Sequence, residues 1–230
     1  ILAVRQYVHI MFVKGYLNTD LSLGISYLRD SSFHLPKDVM TVAEVKKILR
    51  KPDVSTDSGY RDRSILELLY ATGLRRMEMV NLSVSDINFE SRTLRVLRGK
   101  FQKDRVVPMS KISAKYLRHY VLSVRGELMK INRGGRIESL FISNGGVAFT
   151  PSSLYDQIIG YLKSVGGKKK LSLHSFRHTI ATHMIEWGMP LRMVQELLGH
   201  SDISYTMKYV HIGVRHLEAE YRRCHPLARS

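Results

Sequence analysis

The chain is poor in cysteine, since Cys224 is the only one among its 230 residues. A single cysteine excludes an internal disulfide framework and fits a reducing compartment, so we expect a cytoplasmic protein. The ten histidines form no compact cluster with cysteine at the spacings that zinc sites use. The sequence therefore predicts neither a disulfide-stabilised scaffold nor a zinc site.

Long uninterrupted apolar runs are also missing, which argues against a membrane-spanning helix. Residues 1–13 are apolar but include Arg5, Gln6 and His9, a pattern that does not fit a signal peptide. The chain starts at Ile1 rather than at a methionine, and we expect it to be a fragment of a longer protein. Hydrophobic residues make up 44% of the chain, which is enough for a packed core.

Acidic residues are scarce, because 20 Asp and Glu stand against 36 Lys and Arg, and the formal net charge is +16. Such a charge indicates a polyanionic partner, and double-stranded DNA is the leading expectation. An anionic membrane surface is the weaker alternative, since the basic residues are scattered instead of lining one amphipathic helix. Simple solubility is the remaining explanation of the charge.

Hydrophobic periodicity predicts an α+β fold that is mainly helical, with a small antiparallel sheet on one side. Thr41 and Glu44 have the spacing of a capping box at a helix start, and Gly73 is placed to end the next helix. Strands are predicted at 93–97 and 105–108, joined by a polar tip. The other predicted elements are a short apolar strand at 140–142 and helices at 1–15, 60–71, 75–81, 111–125, 151–164, 174–187, 190–198, 201–210 and 213–223.

His174 and Arg177 are three residues apart near a predicted helix start, so they share one helical face. Arginine suits a phosphodiester, because its planar guanidinium matches two phosphate oxygens and stays protonated. The helix start adds N–H groups and partial positive charge. The two residues are thus a candidate phosphate site, although a capping histidine and a solvated arginine would explain the pair more readily if it stood alone.

A phosphodiester can be attacked by a tyrosine phenol when surrounding positive charge favours its ionisation. Tyr205 and Tyr209 are four residues apart on one predicted helical face, so spacing alone does not choose between them. The leaving alkoxide needs a proton, which a lysine on the tip between the two strands can donate. Lys100 and Lys103 both lie on that tip.

Four motifs together resemble the catalytic domain of the tyrosine site-specific recombinases, the phage integrase family. The most similar branch is the bacterial Xer branch, which resolves chromosome dimers. The resemblance covers the chain from about Leu35 to the C-terminus. The motifs are, in order, ATGLRRME (71–78), GKFQKDRVVP (99–108), LHSFRHTIATHM (173–184) and LLGHSDISYTMKYVHI (197–212).

This resemblance implies a role for each matching residue. Arg75 corresponds to the first catalytic arginine of the family and Glu78 to the acidic residue that steadies the site. His174 and Arg177 correspond to the family's HxxR pair. His200 corresponds to the second histidine, which hydrogen-bonds the phosphate.

The nucleophile and the general acid are assigned in the same way. Tyr209, nine residues after the second histidine, corresponds to the nucleophile, and Tyr205 then has a supporting role. Lys100 corresponds to the hairpin lysine that protonates the 5′-oxygen. Phe101 stands where the family often has glycine, so Lys103 stays open as an alternative general acid.

The reaction implied by the family is a pair of transesterifications, through a 3′-phosphotyrosyl intermediate and a free 5′-hydroxyl. The bond energy is kept in the protein–DNA ester, so no cofactor, ATP or metal is expected. The sequence also lacks a GxxxxGK phosphate loop and a clustered carboxylate metal site.

The resemblance also implies a domain order and an assembly. Residues 1–37, with a connector-like composition after Gly15, would be a remnant of an N-terminal helical core-binding domain and its linker, and 38–230 the catalytic domain. The segment 213–230 resembles a C-terminal helix that docks into a neighbouring protomer, unless it is an ordinary surface helix. A homo- or hetero-tetramer on two DNA sites would follow.

Two other functions are compatible with the same sequence. A type IB topoisomerase-like nicking and closing enzyme would use the same tyrosine chemistry as a monomer on one duplex. A catalytically idle DNA-binding regulator would use only the basic surface.

Overall fold

The protein is described by a computed structural model that covers residues 10–16, 39–97, 104–132, 137–166, 171–199, 223 and 225. The chain divides into two compact units, 1–35 and 36–230. In the first unit, a helical segment ends at a turn around Gly15, whose φ of 75° lies in the left-handed region. The prediction of a helix ending near this glycine holds for the described part of 1–15.

The described residues of the second unit are mainly helical and form one three-stranded antiparallel sheet, which confirms the predicted fold class. Its strands are β1 (Ile87–Asn88), β2 (Thr93–Val96) and β3 (Arg105–Pro108). Its α-helices are, in chain order, α1 (Val42–Leu49), α2 (Asp57–Thr72), α3 (Arg76–Val80), α4 (Lys111–His119), α5 (Arg125–Met129), α6 (Pro151–Gly166), α7 (Leu173–Glu186) and α8 (Leu191–Leu198). The predicted helices 201–210 and 213–223 lie outside the described residues, apart from Arg223.

The start of α1 has the predicted capping box. The Thr41 hydroxyl accepts from the backbone N–H of Glu44 at 3.2 Å, and the Glu44 carboxylate accepts from the backbone N–H of Thr41 at 2.7 Å. Two N–H groups that the helix leaves without partners are satisfied in this way. On one face of α1, the side chains of Val45, Ile48 and Leu49 are buried in the core.

Helix α2 runs through the middle of the core. Its apolar residues Ile65, Leu66, Leu68 and Leu69 are completely buried, so the core surrounds more than one face of the helix. The helix ends as predicted at Gly73, which has a φ of 60° and donates its N–H to the Leu69 carbonyl. Such a left-handed terminus favours glycine because a Cβ is disfavoured there.

The sheet has the order β1-β2-β3. Strands β2 and β3 form the predicted hairpin, with Thr93 opposite Pro108 and Val96 opposite Arg105. The two-residue strand β1 was not predicted, because a strand this short leaves no alternation to detect. The tip that carries the candidate lysines falls largely in 98–103, outside the described residues.

The predicted helix 111–125 is longer than expected and faces differently. A π-helical segment, Tyr120–Val124, connects α4 to α5, so helical backbone continues to Met129. The deeply buried face is formed by Ala114, Leu117, Tyr120, Val124 and Leu128, whereas Ile112 and Tyr116 are only half-buried. A widened turn changes which residues share a face, and sequence spacing does not reveal it.

The prediction of a strand at 140–142 is wrong. Its three residues are buried, but the described residues give this region only two isolated bridges, Ser83 to Ser139 and Ile142 to Ala148. Its backbone groups bond side chains as well, since Tyr120 and Arg125 donate to the Leu140 carbonyl. The apolar run therefore indicated correctly that these residues are buried, but they do not form a strand of the sheet.

His225 is buried against α2. Its Nε2 lies 3.3 Å from the Tyr70 carbonyl, and its ring packs at 5.1 Å from the Tyr70 ring. Burial lowers the pKa of His225 to about 3, so the imidazole is neutral at pH 7. A residue from the C-terminal segment thus occupies a place in the core of its own chain.

Replacing Gly73 by alanine should destabilise the protein. The new Cβ would lie 2.5 Å from Cδ2 of Leu198 and 3.0 Å from Cγ2 of Ile180, at a φ of 60°. We expect the free energy of unfolding, measured with urea, to fall by more than about 1 kcal/mol.

The matched control for this change is Gly160→Ala, in the middle of α6, where a Cβ would meet nothing within 4 Å. That variant should be unchanged, or more stable by about 0.5–1 kcal/mol. Equal stabilities of the two variants would show that the close packing at Gly73 carries no energetic weight.

Candidate active site

Helix α7 carries His174 and Arg177 in its first turns. It begins at Leu173, after the N-cap residue Ser172, whose backbone N–H donates to the Ser175 hydroxyl at 2.9 Å. His174 is exposed to solvent, whereas Arg177 is 3% exposed. The predicted helix start near His174 is confirmed, but the two side chains lie at different depths.

The guanidinium of Arg177 joins three segments that are far apart in the chain. Its Nη1 donates to the Gly73 carbonyl at 2.7 Å, and its Nη2 donates to the Leu198 carbonyl at 2.6 Å. Gly73 closes α2 and Leu198 closes α8. The structure therefore brings the ATGLR segment and the HSFRH segment together.

Arg75 lies at the N-cap of α3, and its side chain is 39% exposed. Its Nη2 donates to the Gly199 carbonyl at 2.9 Å and its Nη1 to Oε1 of Glu78 at 3.0 Å. The backbone N–H of Arg75 donates to Oε2 of Glu78 at 2.8 Å. The arginine is thus fixed on two sides while part of its guanidinium faces solvent.

A third arginine, Arg105 at the start of β3, was not predicted. Its Nη1 and Nη2 donate to the two carboxylate oxygens of Glu78 at 2.7 and 2.9 Å, and its Nε donates to the Leu197 carbonyl at 3.1 Å. One signal could have found it: Arg105 pairs across the hairpin with buried Val96, and paired residues of two strands point to the same face. An arginine on an inward face needs buried partners.

Arg75, Arg105 and Arg177, which we call the arginine cluster, meet at the C-terminal end of α8. They donate to three successive carbonyls, those of Gly199, Leu197 and Leu198 respectively. The last carbonyls of a helix have no partners within the helix and carry partial negative charge, so guanidinium groups are favourable there. The end of α8 therefore holds all three arginines in fixed places.

Glu78 is the acidic member of this site. Burial would raise the pKa of its carboxyl, but hydrogen bonds from Arg105 and from the Arg75 backbone, with the positive charges of both arginines, outweigh burial and lower it to about 2. Glu78 is therefore ionised at neutral pH. One carboxylate between two guanidiniums leaves one net positive charge, next to the exposed side chain of Arg75.

His174 and Arg75 line the same open cavity, which has a volume of about 370 Å³. Tyr155 and Ser172 line it as well. Its ring contacts that of His178 edge to face, with centroids 4.4 Å apart. Although His174 is exposed, partial desolvation of its ring lowers its pKa, and the nearby charges of His178, Arg177 and Arg75 lower it further. A neutral imidazole keeps one N–H group, so it can donate a hydrogen bond to an oxyanion at and above neutral pH.

Several predicted site residues lie outside the described residues: Lys100, Lys103, His200, Tyr205 and Tyr209. His200 follows Gly199 directly in the sequence, and Gly199 belongs to the site through its carbonyl. The positions of these five side chains stay predictions.

Two searches concern only the part of the chain that the structure describes. Within it, no three or more His, Cys, Asp and Glu side chains are arranged to hold a metal ion. None of its helices combines the length and the apolar character needed to cross a membrane.

The geometry fits an anionic group of the size of phosphate. A guanidinium that is partly exposed and otherwise fixed faces an open cavity, and a neutral imidazole borders the same cavity. Preorganised donors of this kind stabilise charge on phosphate oxygens as it develops.

Comparison with known proteins gives the same assignment as the sequence motifs. Residues 38–216 match the phage integrase family. The chain is 38% identical over 193 residues to tyrosine recombinase XerC 2 of Ralstonia nicotianae, covering 84% of this chain and 54% of that protein. It is 36% identical over 224 residues to tyrosine recombinase XerD of Lacticaseibacillus casei, covering 97% of this chain and 74% of that protein.

Solved structures of recombinases share the fold. The crystal structure of XerA recombinase matches with a TM-score of 0.64 at 28% identity, covering 96% of this chain and 74% of that one. XerH recombinase bound to its difH substrate, in a pre-cleavage complex, matches with a TM-score of 0.61 at 26% identity, covering 74% of this chain and 48% of that one. The resemblance inferred from four short motifs is confirmed, and the chain belongs to the phage integrase family as a homologue of the Xer tyrosine recombinases.

Proposed function

We propose that this chain cuts and rejoins DNA at specific sites through a covalent phosphotyrosyl intermediate. One observation carries the proposal: Arg75 and His174, about a hundred residues apart in the chain, line one open cavity in a member of the phage integrase family, and Arg177 joins their two segments through the Gly73 carbonyl. The net charge of +16 supports a DNA partner. The relative XerH is bound to its DNA substrate in both pre-cleavage and post-cleavage structures.

In this proposal Arg75 holds the scissile phosphate, and Arg177, as the second family arginine, supports the site. Arg75 presents its exposed guanidinium to the non-bridging oxygens. Arg177 fixes the frame around the Gly73 and Leu198 carbonyls and adds its positive charge to the site. His174 donates to a phosphate oxygen as a neutral imidazole. Removing one such donor typically costs about a hundred- to thousandfold in rate.

The remaining chemistry is assigned to residues outside the described ranges. The Tyr209 oxygen attacks the phosphorus as its proton leaves, the bond to the 5′-oxygen breaks, and Lys100 gives that oxygen a proton. His200 donates to the phosphate. The products are a 3′-phosphotyrosyl ester and a 5′-hydroxyl, and attack by a second 5′-hydroxyl on the ester frees the tyrosine and rejoins the DNA. Every bond broken is matched by a bond formed, so the reaction needs no cofactor.

The wider organisation follows the family. We place the catalytic domain in 38–230 and assign 1–37 to the helical core-binding domain and linker that precede it. Recombination requires two DNA duplexes, so the working assembly would be a homo- or hetero-tetramer in the cytoplasm, linked by exchange of C-terminal helices. A topoisomerase-like monomer or an idle regulator would need only one duplex.

The covalent intermediate can be tested without knowing the natural site. Nicked duplexes with randomised half-sites are incubated with the protein, adducts that survive denaturation are isolated, and both the enriched DNA and the modified peptide are identified. We expect an adduct on Tyr209. The variant Tyr209→Phe should lose the adduct and keep DNA affinity within about twofold, since only a hydroxyl is removed.

Each other outcome of this experiment is informative. An adduct on Tyr205 would refute the nucleophile assignment, and absence of any adduct from the unmodified protein would favour the idle regulator. If the enriched duplex is recombined with a second copy and the complex has the mass of a tetramer, the topoisomerase-like alternative is excluded. Relaxation of supercoiled DNA by a monomer would instead support that alternative.

Binding to DNA should weaken steeply with salt, because phosphate contacts release counterions. For four phosphate contacts, affinity for a random-sequence duplex falls by about a hundredfold between about 50 and 200 mM salt. Fluorescence anisotropy measures it. An affinity that does not change over this range would contradict the phosphate-binding role of the basic surface.

Arg75→Met tests one contact within that binding. It should lower the slope of log affinity against log salt by about 0.9, the contribution of one phosphate. Lys130→Met removes the same charge from a surface ion pair with Glu127 and serves as the control, with the slope expected to stay constant. Equal slopes for Arg75→Met and the unmodified protein would remove Arg75 from the phosphate site.

A further inference from the structure

Arg105 is in contact with the proposed site but is the wrong residue to bind a phosphate directly. Its side chain is 9% exposed, against 39% for Arg75. All three of its nitrogens already donate, two to Glu78 and one to the Leu197 carbonyl. Arg105 does not line the cavity that Arg75 and His174 border, and its bidentate pair with Glu78 directs its charge toward that carboxylate.

The carboxylate of Glu78 is shared unequally between the two arginines. Arg105 binds it in bidentate fashion, through both oxygens, whereas the Arg75 side chain reaches only Oε1. Bidentate pairing fixes the plane of a carboxylate as well as its distance. With that plane fixed, Oε2 accepts from the Arg75 backbone N–H and Oε1 accepts from the Arg75 guanidinium.

Removal of Arg105 would leave Glu78 free to rotate and to take Arg75 as its only cationic partner. Arg75 and Glu78 would then form a neutral pair, and the net positive charge that Arg75, Glu78 and Arg105 carry together would be lost. The Arg75 guanidinium, which must meet a phosphate, would be drawn toward the carboxylate instead. The described residues show Arg75 and Arg105 as the charged groups that face Glu78.

Arg105 also links two parts of the chain that carry predicted catalytic residues. It is the first residue of β3, just after the hairpin tip that contains Lys100. It also donates to the Leu197 carbonyl at the end of α8, three residues before His200 in the sequence. The same side chain therefore connects the hairpin, Glu78 and the end of α8.

We propose that Arg105 is a positioning residue for DNA cleavage: it neutralises and orients Glu78, so that Glu78 holds Arg75 ready for the phosphate without cancelling its charge. This inference rests on the proposed function. Arg105 touches neither DNA nor the reacting atoms, and its effect passes through Glu78.

The test uses single-turnover adduct formation on the duplex enriched by the nicked-DNA selection. We expect Arg105→Met to slow adduct formation by about ten- to hundredfold, the usual effect of removing a residue that orients a direct ligand. Affinity for the duplex should change by less than about twofold, because Arg105 makes no phosphate contact. The control is Arg95→Met on the neighbouring strand, which also breaks an arginine–carboxylate pair, with Asp86, and should keep the full rate.

A second readout distinguishes positioning from a general structural role. Without Arg105, burial acts on Glu78 with less opposition, so its pKa rises and its carboxylate is neutralised at a higher pH. Protonation of Glu78 releases Arg75 from the neutral pair, so the rate of Arg105→Met relative to the unmodified protein should rise as the pH is lowered from about 8 to about 5.5. In the Glu78→Gln background the corresponding ratio should not depend on pH, and Arg105→Lys should restore part of the rate.

The double variant Arg105→Met/Glu78→Gln decides the inference. If Arg105 acts through Glu78, the double variant is no slower than Glu78→Gln, because there is no charge left to neutralise. It also removes a buried carboxylate together with its partner, so it gives the answer even if Arg105→Met alone does not fold. Losses that multiply in the double variant, or a full rate for Arg105→Met, would overturn the inference. Failure of the unmodified protein to form an adduct would instead overturn the proposed function.

Discussion

The end of helix α8 is where the rest of the site is fixed. The carbonyls of Leu197, Leu198 and Gly199 have no partners within the helix, and each accepts from a different arginine. The three arginines come from a strand, a helix start and a helix N-cap. Without these carbonyls, three cations held close together would repel one another, and their positions would not be defined. The negative end of the α8 dipole and the Glu78 carboxylate both offset the positive charge of the cluster.

Glycine makes this arrangement possible on the other side of the site. Gly73 ends α2 in the left-handed region, and its carbonyl accepts from Arg177. Leu198 and Ile180 pack so closely against Gly73 that a side chain there would meet both. The glycine thus has a conformational and a packing function at once. Through both functions, Gly73 lets the end of α2 pack against α7 and α8. Arg75 lies two residues after Gly73 in the chain.

The charge at the site is limited by Glu78. Arg75 and Arg105 share the single carboxylate of Glu78, so these three residues keep one positive charge in addition to that of Arg177, and of the two paired guanidiniums it is that of Arg75 that lines the cavity. A site built to hold a phosphate needs positive charge that is available and fixed in direction. The pairing of Glu78 with a buried arginine supplies both properties, because it ionises the carboxylate fully while its bidentate geometry fixes the orientation.

Much about this protein follows from the sequence. The capping box at Thr41, the helix end at Gly73 and the β2–β3 hairpin are local signals, and each depends on residues that are neighbours in the chain. The family follows from motifs whose residue types and order are specific even when the motifs are far apart. Charge composition points to a polyanion without reference to any fold.

Other features exist only in three dimensions. The π-helical segment at Tyr120–Val124 changes which side chains are buried. In the segment 140–142, the Leu140 carbonyl accepts hydrogen bonds from two side chains and not from a neighbouring strand. Arg105 is the clearest example. In the sequence it is one basic residue among 36, and its partners Glu78 and Leu197 lie 27 and 92 positions away. Residue type and spacing set what each local segment can form, but which donor meets which acceptor depends on how distant segments pack, and only the folded chain decides it.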